Sequence, residues 1–177
     1  SHGMSLWWPV VGRNKKSVTV NLRVKEGQEI VRQLVSKADF LLENFRPGTL
    51  ERWNLSFDEL HKINPRLIMI RVSGFGQTGP YASRAGFGAV GEAMGGLRYV
   101  CGDPSTPPSR MGISIGDSLA ATFASVGALS ALHYREKTGR GQVVDSAIYE
   151  SVLNMMESLV TEYDKTGYIR ERTGAIL

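Results

Sequence analysis

Between Ser17 and Leu22 apolar and polar positions alternate in a segment rich in β-branched residues, which predicts a strand. The period then changes, because Ile30, Val31, Leu34 and Val35 recur at helical spacing within residues 26–37. A second short apolar run, Ala38-Asp39-Phe40-Leu41-Leu42, follows, and Asn44-Phe45-Arg46-Pro47-Gly48 breaks the chain into a loop. Pro47 suits the first turn of a helix running through Trp53. Ser56-Phe57-Asp58-Glu59 has the S-x-x-E form of a capping box ahead of Leu60 and Ile63, and Asn64-Pro65 stops that helix. Leu67-Ile68-Met69-Ile70-Arg71-Val72 is almost continuously apolar, as expected of a strand covered on both faces in a parallel sheet. Strand patterns alternating with helical ones give an α/β fold class, a Rossmann-like and mostly parallel sheet with flanking helices and right-handed crossovers.

Two glycine- and proline-rich segments, residues 74–81 and 102–108, flank a glycine-containing helical stretch at 87–97. Loops of this kind are where function concentrates. A long apolar helix starts near Ile113 and ends around Thr138-Gly139, and its small residues Ala120, Ala124, Gly127 and Ala131 allow close packing on a neighbour. Asp117, four serines and Thr122 in this stretch argue for a core helix over a membrane span. Gln142-Val143-Val144-Asp145 reads as a short strand, residues 149–163 as an amphipathic helix, and residues 170–177 carry no closing pattern.

Composition narrows the function classes. At 177 residues the chain has the size of one domain with room for a core, and its single cysteine, Cys101, excludes an internal disulfide framework. Three isolated histidines, His2, His61 and His133, give no zinc-finger spacing, so no metal is expected, and a reducing, cytoplasmic location fits best. The basic cluster Arg13, Lys15 and Lys16 follows the apolar opening Met4 to Val11, the reverse of a signal peptide. A net charge of +4 favours an anionic partner, yet is small for a nucleic-acid binder. A phosphorylated small molecule suits it better, with no nucleic acid and no membrane as partner.

Several residues have both a chemical and a plainer reading. Gly74-Phe75-Gly76-Gln77-Thr78-Gly79 matches the G-x-G-x-x-G of dinucleotide sites directly after a predicted strand. Pro80 follows at once, however, and the nearest acid, Glu92, falls in the next helix, so a backbone-permissive substrate loop is the better reading. The cluster from Arg13 to Lys16, with Arg46 and Arg52, could hold phosphate or simply be solvated. Asp103 in Gly102-Asp103-Pro104-Ser105 is a candidate carboxylate nucleophile or an Asx-turn residue. Asp117 near the start of the long helix is accounted for by capping and the helix dipole. Glu150 and Glu157 have the spacing of a solvated helix face.

Glu43-Asn44-Phe45-Arg46-Pro47-Gly48, Val72-Ser73-Gly74-Phe75-Gly76-Gln77-Thr78-Gly79-Pro80-Tyr81, Arg84-Ala85-Gly86-Phe87 and the run from His133 to Gln142 together resemble the class III (CaiB/BaiF-type) coenzyme A transferases, over about Trp7 to Arg172. The resemblance implies that residues 1–177 are part of a large α/β domain, with a small domain and a first nucleotide-binding strand lying outside this chain, in subunits threaded together as an interlocked homodimer. It implies a transferase that moves coenzyme A between an acyl-CoA and a small carboxylic acid, with acyl-CoA as substrate and no covalently bound cofactor, and a fragment that is inactive alone.

Carried over by position, the resemblance assigns coenzyme A to Asn21, Leu22, Arg23, Asn44, Phe45, Arg52 and Trp53. In these transferases an aspartate attacks the acyl-CoA carbonyl to give an aspartyl anhydride, and free CoA thiolate then gives an aspartyl thioester. The corresponding turn here, Asp103-Pro104-Ser105-Thr106-Pro107-Pro108, places Ser105 at the expected position, which leaves Asp103 as the nucleophile if the turn shifts. The racemase branch of the family matches its aspartate to Asp117, and its histidine to Phe87, which cannot act as a base. A CoA-binding homologue without transfer chemistry is the remaining alternative.

Overall fold

In the computed structural model, which describes residues 3 and 5–176, three strands form one sheet: β1 (Phe40–Glu43), β2 (Ile68–Ser73) and β3 (Val143–Ala147), in spatial order β1-β2-β3 and all parallel. Ser1, His2, Met4 and Leu177 lie outside the described residues, and with them part of the apolar opening and the end of the tail. Glu43 is opposite Arg71 and Ser73 is opposite Ala147, so the carboxyl ends of the three strands open at one edge. The expected parallel α/β sheet is present.

The central strand explains its own apolar run. Leu67 and Met69 join a buried cluster with Val35, Leu50, Leu55 and Leu60, contributed by α2 (Lys25–Val35), α3 (Thr49–Arg52), α4 (Phe57–Ile63) and their connections. Ile68 and Ile70 join a second cluster with Ala124, Ala128 and Ala131 of α7 (Ile115–Thr138). Side chains alternate between faces along a strand, so a strand covered on both sides must be apolar at every position. The helix α7 is long and apolar enough to cross a membrane, but here its alanine stripe is buried against β2 and β3. Gly127 lets it close on the sheet, since a Cβ there would lie 2.7 Å from Val144 Cγ1. The N-cap half of the expected capping box forms, with Ser56 Oγ accepting the Glu59 N–H at 3.3 Å, while the Glu59 carboxylate accepts from Lys62 Nζ at 2.6 Å. At the other end of α4, Asn64 Nδ2 donates to the carbonyls of Val35 and Ala38, tying α4 to the end of α2.

Four expectations need correction. Residues 17–22 run without a ladder, and Val18 is exposed, because an alternating segment becomes a strand only when another strand's edge pairs with it. A short helix, α1 (Trp7–Val11), forms in the apolar opening instead. The stretch at 87–97 divides into α5 (Gly88–Met94) and α6 (Leu97–Val100), where Gly96 takes a φ of 92°. The stretch at 149–163 likewise divides into α8 (Ile148–Asn154) and α9 (Leu159–Thr166). Glu157 lies in that break at φ 53° and pairs with Arg170, so it does not share a solvated helix face with Glu150. Finally, the segment without a closing pattern docks on α6: Arg172 Nη1 donates to the Tyr99 carbonyl at 3.0 Å and the Gly174 N–H to the Gly102 carbonyl at 3.1 Å.

Candidate active site

Parallel α/β sheets leave a crevice beyond the carboxyl ends of their strands, between the loops that carry the chain onward. A cavity of about 580 Å³ occupies that place here. Glu43 and Asn44 bring the end of β1 to it, Ser73 and Gly74 the end of β2, and Ile148 the residue after β3. Gly86, Phe87 and Asp117 complete the wall. The volume is within the roughly 300–1,000 Å³ of small-molecule sites.

Asp117 stands in the first turn of α7, the helix end at which the macrodipole favours negative charge. Among the described residues its carboxylate takes part in no hydrogen bond or ion pair, and it does not cap the helix. It is instead seated against Gly88: a Cβ on that glycine would come within 2.6 Å of Asp117 Oδ2. The absence of a side chain at Gly88 is what leaves space for the carboxylate beside the start of α5. Of the plainer reading of Asp117, the capping part does not hold, while its place in the first turn of α7 keeps the dipole part.

The glycine-rich loop after β2 is built for backbone approach. Its bend is fixed by the Gly76 N–H donating to Ser73 Oγ at 2.9 Å and the Gln77 N–H donating to Asp145 Oδ2 at 2.7 Å. Gly76 has a φ of 84°, a left-handed conformation that a side chain disfavours. The chain continues from Gly79 in turns, and the next helix starts only at Gly88, so the helix N-terminus that holds a dinucleotide pyrophosphate is not at this loop.

The positions assigned to coenzyme A fall in two groups. Phe45 and Trp53 meet edge to face with ring centroids 5.4 Å apart, and Arg52 next to them donates to Thr49 Oγ1 at 3.0 Å. Asn44, one residue before Phe45, reaches the cavity that contains Asp117. In the second group Asn21 Oδ1 accepts the Arg23 N–H at 3.0 Å, and Gln28 Nε2 donates to the Leu22 carbonyl. Leu22 and Trp53 pack on the same buried cluster, but no hydrogen bond joins the two groups among the described residues.

Asp103 is elsewhere. It is exposed in a turn outside the cavity lining, and its Oδ1 accepts both the Ser105 N–H at 2.8 Å and the Ser105 hydroxyl at 2.5 Å. The Ser105 side chain, then its backbone N–H, holds the Asp103 carboxyl below the usual carboxylate range. This is Asx-turn geometry, with the arginine-bearing tail segment packed behind it: Arg172 Nε donates to the Asp103 carbonyl at 3.4 Å.

One cluster at the site was not foreseen. Arg71, the lone charge in the apolar run of β2, is buried between Glu43 and Glu51, with Nε and Nη1 each 2.6 Å from a carboxylate oxygen. The hydrogen bond from Arg71 holds the Glu51 carboxyl below its usual range. An arginine inside an otherwise apolar strand was the available signal, because such a charge is stable only when paired.

Comparison with known proteins follows the same lines. The family described as CoA-transferase family III matches residues 1–176. The succinyl-CoA–D-citramalate CoA-transferase of Chloroflexus aurantiacus is 66% identical over 175 residues, covering 99% of this chain and 44% of that protein. The acetyl-CoA:oxalate CoA-transferase of Acetobacter aceti is 39% identical over 171 residues, covering 96% and 44% respectively. A crystal structure of a CaiB/BaiF family protein from Brucella suis superposes with a TM-score of 0.86 at 36% identity, over 90% of this chain and 42% of that one. The chain thus spans less than half the length of these relatives, and the family match covers nearly all of it: it belongs to CoA-transferase family III.

Proposed function

We propose that this chain carries the acyl-activating half of a coenzyme A transferase site, with Asp117 as the nucleophile in place of Asp103. The observation that carries the reading is the position of the Asp117 carboxylate, without a hydrogen-bond partner among the described residues, on the same cavity wall as Asn44 of the coenzyme A loop. One Asp117 oxygen attacks the thioester carbonyl, the tetrahedral intermediate expels CoA thiolate, and a mixed anhydride remains on the side chain. The thiolate attacks the aspartyl carbonyl of that anhydride, releasing the first carboxylic acid and leaving an aspartyl CoA thioester. The acceptor carboxylate then displaces CoA to form a second anhydride. Attack of CoA on its acceptor carbonyl gives the new acyl-CoA and restores Asp117. Each step exchanges one activated acyl bond for another, so no outside energy source is needed. Gly74 and Gly86 meet backbone to backbone on the cavity wall, where a Cβ on either would lie 2.5–2.7 Å from the other's Cα, so the wall there is main chain.

The relatives' names support a substrate class: one is named for succinyl-CoA and D-citramalate, the other for acetyl-CoA and oxalate. At 66% identity with the former, the reading here is transfer from a short acyl-CoA such as succinyl-CoA to a small dicarboxylic acid. Proton exchange at the α-carbon, the racemase alternative, would need a second base, and Phe87, which occupies the matching place on the cavity wall, cannot supply one. The interlocked homodimer, the cytoplasmic location, the small domain and first nucleotide strand outside this chain, and inactivity of residues 1–177 alone belong to the same reading. The test is to incubate the protein, extended to its relatives' full length, with succinyl-CoA and a panel of dicarboxylic acids. A new CoA thioester that forms only when an acceptor acid is present supports transfer. Binding of acyl-CoA without exchange across the panel would identify a non-catalytic homologue and overturn it.

A further inference from the structure

Arg71 is 7% exposed on the central strand, with apolar Ile70 and Val72 beside it along the chain and Glu43 and Asp145 opposite it on β1 and β3. Its Nε donates to Glu43 Oε1 at 2.6 Å, while Nη1 and Nη2 donate to the two oxygens of Glu51 at 2.6 and 3.3 Å. Glu43 is 6% exposed, and with its other oxygen it accepts the Phe45 N–H at 2.9 Å. One buried guanidinium thus holds both ends of a loop. Glu43 precedes Asn44 and Phe45, and Glu51 precedes Arg52 and Trp53. Between those two anchors the chain turns through Pro47 and Gly48 and brings the rings of Phe45 and Trp53 together.

We propose that Arg71 is a positioning residue for coenzyme A: through Glu43 and Glu51 it fixes the 44–53 loop so that Phe45, Arg52 and Trp53 present a preformed surface to the nucleotide portion of the ligand. The inference rests on the reading of that loop as the coenzyme A site. Fold stability alone does not account for three charged groups here, because a buried ion pair can often be replaced by apolar side chains with no loss of stability. What an apolar replacement cannot do is accept the Phe45 N–H and clamp residue 51 at once. A fork of donors in one plane suits the task, and the point charge of a lysine does not. Ordering the loop before the ligand arrives removes that entropy cost from binding.

The experiment compares full-length protein with three variants: Arg71→Lys, Glu51→Gln, and the pair Arg71→Met with Glu43→Gln, which leaves no unpaired buried carboxylate. Amide hydrogen exchange is measured without ligand, CoA binding by calorimetry, and turnover with acyl-CoA as varied substrate. The expected result is faster exchange confined to residues 44–53, with β2 and α7 unchanged. Kd for CoA and KM for acyl-CoA should rise roughly tenfold to a hundredfold while kcat stays within about twofold, the size of effect a misplaced binding group produces. Arg71→Lys should fall between the unaltered protein and the paired variant. A loss of exchange protection spread evenly over the fold, or an unchanged KM and Kd, overturns the inference and leaves the transferase reading intact. No saturable heat with CoA in the unaltered protein overturns the loop's assignment itself, and the inference with it.

Discussion

Replacing Asp117 with asparagine should reduce acyl transfer by at least about 10⁴-fold, the scale of losses seen when a covalent nucleophile is removed, while Asp103→Ala stays within about twofold of the unaltered enzyme. Asparagine keeps the shape of the side chain, and among the described residues no ion pair depends on the Asp117 charge. The fold should therefore survive, and the lost rate can be assigned to chemistry. Steady-state transfer between an acyl-CoA and a carboxylic acid, with circular dichroism as the folding control, measures both variants. The asymmetry follows from geometry. Asp117 lines a 580 Å³ cavity at the strand ends, whereas Asp103 is occupied by Ser105 in an exposed turn. Loss of the Asp103 carboxylate removes only local turn hydrogen bonds at the surface.

The second large effect is expected at Gly88. A Cβ added there would lie 2.6 Å from Asp117 Oδ2 and 3.1 Å from its Cγ, closer than real contacts allow. The obstructing atoms are the end of a side chain that can rotate, so Gly88→Ala should move the carboxylate and leave the backbone in place. Alanine is also the better helix former, which keeps α5 from losing stability through propensity. Displacing a reacting group by about 1 Å costs on the order of 10²-fold, and the loss should fall on kcat. KM for acyl-CoA should change little, because Phe45, Arg52 and Trp53 are on other elements. Gly91→Ala makes the contrast, since its Cβ would meet Ile148 Cγ2 at 2.4 Å in the packed interface between α5 and α8. That variant should lower thermal stability. A Gly88→Ala enzyme with unchanged kcat would show that Asp117 is not held at the reacting position.

What could be read in the sequence was what local chemistry decides. Ser56 and Glu59 marked the start of α4 because a cap needs only four consecutive residues, and Leu67 to Val72 marked the central strand because burial on two faces leaves no polar position. The motif residues around Asn44, Phe45, Gly74 and Gly86 were also legible, and most of them line or adjoin the cavity. Contacts made across the fold were not legible. Val18 and Val20 alternate correctly, but nothing nearby in sequence reports whether a strand edge will be there to pair with them. The same limit hid the setting of Asp117, the proposed nucleophile, which the sequence offered only through the resemblance to the racemase branch. Asp117 and Gly88 are brought together only when α5 and α7 pack, so along the chain Asp117 resembles any acid in a first helical turn. Asp103 showed the reverse problem. Its Asp-Pro-Ser setting is sufficient for an Asx turn, and that is what it forms.

The nucleophile's identity can be determined in one measurement. Full-length protein is incubated with an acyl-CoA, the activated aspartyl group is trapped with hydroxylamine, and the modified peptide is sequenced by mass spectrometry. The expected product is a hydroxamate on Asp117, absent when acyl-CoA is omitted. A hydroxamate on Asp103, or turnover with no trapped aspartate at all, would contradict the assignment of the strand-end cavity as the reacting centre.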